Sequence, residues 1–151
     1  MEKDKRVIIV VAAVLLANLM LAYFFGANSF VLLSPLSLGI ISYLVFFEMQ
    51  KIRMHYRVIL NIGLMFVLDI GIKQLSGGTF DQVGQVITQL SFYGAVVIVF
   101  VVLMIKLFAN LNEEIPLKEK AFSILIYLTL TFIELYLFNS LGPGWNYYHW
   151  N

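Results

Sequence analysis

The chain has 151 residues, 61% of them hydrophobic and 13% charged, with a formal net charge of +1. Water-soluble folds carry roughly 25% charged and 45–50% apolar residues, so this composition excludes a soluble enzyme, a disordered tail and a secreted disulfide scaffold, and it indicates an all-α integral membrane protein. Zero cysteines remove disulfides, thiolate metal sites, iron–sulfur clusters and cysteine nucleophiles, and the few basic residues, spread among short loops, leave no nucleic-acid footprint.

Scanned with a window of about 19 residues, the apolar runs predict a five-helix transmembrane bundle with spans at about 7–25, 33–52, 58–76, 86–109 and 118–141, all within one polytopic domain covering 1–151. Lys3, Lys5 and Arg6 precede the first span. A cleaved signal peptide is the rival reading there and would leave four helices. Against it, Val7 to Phe25 exceeds the usual apolar stretch of roughly 7 to 15 residues, and no A-x-A cleavage site follows. Ala13 and Ala17 in this span permit close helix packing.

In the second span Ser34-Pro35 reads as an N-cap followed by proline at the first helical position. From Pro35 to Ile52 the helix extends about 27 Å, close to the hydrocarbon thickness. The third span carries Asp69 and, four residues on, Lys73. Gly77-Gly78 then forces a turn, and Asp81 follows in the connection to the fourth span. That connection is expected to be an ordinary turn; the functional alternative makes Gly77, Gly78 and Asp81 an outer-loop contact. The fifth span carries Glu134, and the aromatic tail Trp145 to Trp150 beyond it suits an interfacial belt.

Charge placement tests the five crossings independently. Nine of the ten basic residues fall in or beside the N-terminal tail, the segment Lys51–Arg57 and the segment Lys106–Lys120, which five crossings place on one side; only Lys73 falls toward the other. The positive-inside rule then puts the N-terminus in the cytoplasm and the C-terminus outside. The expected location is the cell membrane, the inner one where a cell has two. Lys51, Arg53 and Arg57 are expected to set this topology, with contact to anionic lipid headgroups as the sharper alternative.

Ionisable groups at membrane depth are costly, so Asp69, Lys73 and Glu134 are the informative positions. Asp69 and Glu134 fall at similar depth. Stripes at helical spacing extend the polar set: Asn61, Met65, Asp69 and Lys73 on the third helix, Gln85, Thr88, Gln89 and Phe92 on the fourth, and Ser123, Tyr127, Thr131 and Glu134 on the fifth. A shared intramembrane polar site of Asp69, Lys73, Glu134, Asn61, Gln89 and Thr131 is geometrically allowed. Its plainer role is interhelical glue, and its alternative role is an ion, proton or polar-ligand site.

Phe66-Val67-Leu68-Asp69 followed by Ser76-Gly77-Gly78 resembles rod-shape-determining membrane proteins of the MreD type over about a dozen residues. Lys73, Gln74, Asp81 and Gln82 depart from that pattern, and no residue or activity is carried over.

Enzyme motifs are absent: there is no G-x-S-x-G elbow, H-E-x-x-H pair or Walker loop, and His55 and His149 fall on opposite sides under five crossings. No cofactor is expected. The function expected is a non-enzymatic membrane subunit or assembly component, partnered by the lipid bilayer and by a second copy or another membrane protein, with no nucleic acid. The alternative is an oligomeric channel or small transporter using the Asp/Lys/Glu cluster, and a lipid-modifying enzyme ranks third.

Overall fold

The structure is a computed structural model that describes residues 2–25, 30–75, 82–109 and 114–138. These form helices α1 (Glu2–Phe25), α2 (Phe30–Tyr43), α3 (Met54–Leu75), α4 (Gln82–Phe108) and α5 (Leu117–Phe138), with a single π-helical stretch, Leu44–Glu48, continuing α2. No strand occurs among the described residues. Four helical segments are long and apolar enough to cross a membrane: Asp4–Phe24, Met54–Ile72, Thr88–Phe108 and Leu117–Leu137. The remaining apolar segment, Leu33–Glu48, is shorter.

That shorter segment corrects the expected second span. The helix begins at Phe30 with Pro35 inside it, and it ends in the π turn rather than running on to residue 52. The cause of the early end lies beyond the helix. Arg57, on the first turns of α3, is fully buried. Its Nε donates to the Ile52 carbonyl at 2.6 Å, and its two terminal nitrogens donate to the carbonyls of Phe46 at 3.0 Å and Gln50 at 2.8 Å. Carbonyls at a helix end have no intrahelical donor, and the rigid guanidinium fork satisfies several at once. Arg57 therefore closes the α2–α3 turn from inside, which removes it from the headgroup-facing set expected with Lys51 and Arg53. The latter two are exposed, and Lys51 pairs with Asp4 at 3.7 Å.

Long-range contacts tie α1, the π stretch, α3, α4 and α5 together at one end. Glu119, near the start of α5, accepts a hydrogen bond from the Met54 amide at 2.9 Å and lies 3.5 Å from His55 Nδ1. It thus caps the α3 N-terminus from another helix, supplying the oxygen that an N-cap side chain normally supplies. Lys106, buried near the end of α4, sits 5.2 Å over the Phe47 ring. These contacts gather Lys51, Arg53, Arg57, Lys106 and Lys120 at one end of the bundle. Glu119→Ala is expected to cost about 1 kcal/mol, the usual loss of an N-cap, read as a lowered midpoint in thermal unfolding of the detergent-solubilised protein. Glu119→Gln, which keeps an acceptor oxygen, should lose less.

α2 packs chiefly on α4, α3 chiefly on α5, and α1 against both α2 and α3. Two glycines mark the α2–α4 seam. A Cβ at Gly39 would lie 3.0 Å from Ile98 Cγ2, and one at Gly94 would lie 3.6 Å from Pro35 Cγ. Both contacts share one offset between the two helices, so α2 and α4 run parallel. α3 runs antiparallel to α2 across the Arg57-closed turn, and Ser42 Oγ reaches Asn61 Oδ1 at 3.3 Å as well as the Leu38 carbonyl at 2.6 Å. α3 is the central helix: Met54, Val58, Asn61, Ile62, Met65, Leu68, Asp69 and Ile72 are all buried.

Candidate intramembrane polar site

Asn61, Met65 and Asp69 recur every four residues on α3, which stacks them on one helix face. Asp69 lies about 22 Å along α3 from the Met54 end at 1.5 Å per residue. Moving the same eight residues away from the Ser42–Asn61 contact brings α2 to Ser34 and α3 to Asp69, so these two side chains share a level. The register predicts a meeting there, and the side chains confirm it. Ser34, Asp69, Thr88, Ser91, Leu38, Ile72 and Phe92 line one cavity of about 10 Å³, room for a single water-sized species. Asp69 is 8% exposed, and Ser34, Thr88 and Ser91 are 5% exposed each, so a carboxylate and three hydroxyls from three helices converge away from bulk solvent.

Two further features lie at this level. Pro35 sits inside α2 and has no N–H, so the Val31 carbonyl receives no bond from it. Asn18 on α1 is buried; its amide nitrogen donates to the Val14 carbonyl at 3.0 Å, and its Oδ1 has no hydrogen-bond partner. The side chain of the next residue, Leu19, abuts Gly71, two residues beyond Asp69, which places Asn18 and Asp69 at nearly equal height.

The other expected site residues fall elsewhere. Glu134 and Thr131 are buried on α5, about 25 Å from its Leu117 end for Glu134, and neither lines the Asp69 cavity. On the same helix the Tyr127 hydroxyl donates to the Val96 carbonyl at 2.7 Å and so ties α5 to α4. Gln89 is half-buried and outside the cavity wall, while Asn61 engages Ser42 nearer the basic end. Lys73 belongs to α3, but its side chain is outside the described residues, as are Gly77, Gly78, Asp81 and the aromatic tail.

Sequence patterns did not single out Ser34, Ser91 or Asn18 as site residues. Ser34 beside Pro35 reads as a helix cap, and Ser91 stands one position before Phe92, which completes the polar stripe of α4 at helical spacing. One signal was available: Thr88 and Ser91 are three residues apart and thus share a helix face. No family model, curated protein or solved structure matches the chain.

Proposed function

We propose that this chain is a non-enzymatic, multi-pass membrane subunit that works by docking, through the lipid-facing surfaces of α1 and α5, to a second copy or to another membrane-embedded chain. Five crossings put the basic end in the cytoplasm and the C-terminus outside, in the cell membrane or the inner membrane of a two-membrane cell. The observation that carries the reading is uneven coverage of the helices. Within their apolar windows, α3 and α4 are 44% and 39% buried, whereas α1 and α5 are 28% and 22% buried. α5 presents Leu125, Leu128, Phe132, Tyr136 and Leu137 outward. Much of the buried polar chemistry is also spent on holding helix ends and seams: Arg57 on three carbonyls, Tyr127 on Val96 and Ser42 on Asn61. Such contacts supply register and helix association rather than turnover.

A second reading, an oligomeric ion or proton pathway through Asp69, Lys73 and Glu134, is favoured by the buried Asp69 cavity. One experiment separates the two. The chain has no cysteine, so Phe132→Cys on α5, Leu16→Cys on α1 and Val97→Cys on α4 each introduce a unique thiol for crosslinking in native membranes. Docking predicts a discrete crosslinked product of fixed mass from α5 or α1. No product from either face overturns it. In parallel, proteoliposomes should show no ion or proton flux above empty vesicles. Flux in wild type that disappears in folded Asp69→Asn or Glu134→Gln installs the pathway reading instead.

A further inference from the structure

Of the four long spans α3 is the most enclosed, yet one lane of it is open. Its contacts fix where. The His55 ring meets Phe122 of α5 at 5.8 Å between centroids, and Gly71 abuts the Leu19 side chain of α1. Gly63 lies eight residues from each, so at 3.6 residues per turn it sits about 80° round the helix from both, midway between α5 and α1. Tyr56, Ile59, Leu60 and Val67 fall on the same arc and are exposed, whereas the buried residues of α3 fall on the other arc. A Cβ at Gly63 would meet nothing within 4 Å, which leaves a hollow in the middle of the lane. The lane opens at the basic end of the bundle, where Lys51 and Arg53 are exposed. Lys51 pairs with Asp4, while the Arg53 side chain makes no ion pair among the described residues.

We infer that this lane binds an anionic phospholipid, with its phosphate on Arg53 and Lys51 and one acyl chain lying along α3 over Gly63. Three properties select that ligand. The chemistry changes along the lane as it does along a phospholipid: cations first, then the Tyr56 ring and hydroxyl at interfacial depth, then only Ile59, Leu60, Gly63 and Val67. The length is matched, because Gly63 lies about 15 Å along the chain from Arg53 at 1.5 Å per residue, and one leaflet of a hydrocarbon core about 30 Å thick is about as deep. The charge is matched, because clustered basic residues at the membrane surface attract anionic headgroups. A second copy of this chain is the poorer occupant. Inserted the same way up, it would bring the same basic cluster into the same leaflet, where like charges repel. The inference does not depend on docking through α1 and α5.

The test uses the full chain in detergent micelles at fixed ionic strength, titrated with radioactive phosphatidylglycerol or phosphatidylcholine of identical acyl chains. Two cations near an anionic headgroup should make the wild type prefer phosphatidylglycerol by at least about tenfold. Arg53→Gln should lower that preference about fivefold, the worth of one such cation, and leave phosphatidylcholine binding unchanged. Gly63→Leu places its side chain in open space rather than against another helix. It should therefore fold, weaken both lipids several-fold and keep the preference between them. Gly63→Ala should do the same to a lesser degree, and Val97→Leu, on the outward face of α4, should do neither. Equal wild-type affinity for the two lipids overturns the proposal, as does Gly63→Leu protein that binds phosphatidylglycerol like the wild type. Soluble glycerol phosphate should compete only weakly; competition as strong as that of the whole lipid would make this a free-phosphate site and overturn the lipid assignment.

Discussion

Arg57→Met is expected to be the most destabilising conservative-volume substitution in the chain. The guanidinium is fully buried and donates to three carbonyls at 2.6 to 3.0 Å, one in the π stretch that continues α2 and two in the turn after it. Methionine replaces much of the side-chain volume and none of the donors. Hydrogen bonds to charged groups are worth about 1.5–3 kcal/mol each, and buried acceptors left unmet cost a similar amount. The sum is not additive, but a loss of at least about 3 kcal/mol follows from these figures. Unfolding of the detergent-solubilised protein by a denaturing surfactant measures it. Arg57→Lys tests the geometry: a lysine restores the charge but cannot span three divergent carbonyls, so it should recover only a minority of the loss. Arg53→Met, at an exposed neighbouring position, should change the midpoint little. If Arg57→Met unfolds like wild type, the α2–α3 turn does not depend on this side chain.

The second large effect is expected at the seam between α2 and α4. Gly39→Val adds two methyls beyond a Cβ that already lies 3.0 Å from Ile98 Cγ2, tighter than ordinary contact. Overpacking of this kind costs about 1–3 kcal/mol. Ile98→Ala removes the opposing methyls, so the double variant should regain part of the stability, and the double-mutant cycle should show clear coupling.

Helix positions were legible because each apolar run is bounded by charged or turn-forming residues. The ends depended on distant partners and were not. α3 begins at Met54, four residues before the apolar run suggests, because Glu119 of α5 caps its first amide. α2 ends early because Arg57 takes over its following carbonyls. Spacing around Lys51, Arg53 and Arg57 identified a basic cluster, yet it had no means of showing that one member points inward. Asp69 stood out because a carboxylate in an apolar run is costly wherever it points. Its neighbours did not stand out: serine and threonine barely alter hydropathy, and which faces of α2 and α4 meet α3 is decided by packing at Gly39, Gly94 and Pro35.

The length of α2 has a consequence for the surrounding lipid. From Phe30 through the π stretch to Glu48 the helix covers about 28 Å, against a hydrocarbon slab about 30 Å thick. In a bilayer crossed five times as proposed, the Glu48 end is anchored beside the buried Arg57, so α2 matches the slab only where it stands nearly upright. Membranes of longer-chain lipids must therefore thin around its Ser34–Pro35 end, a distortion costing fractions of a kcal/mol per Å of mismatch, and the chain should favour thinner bilayers.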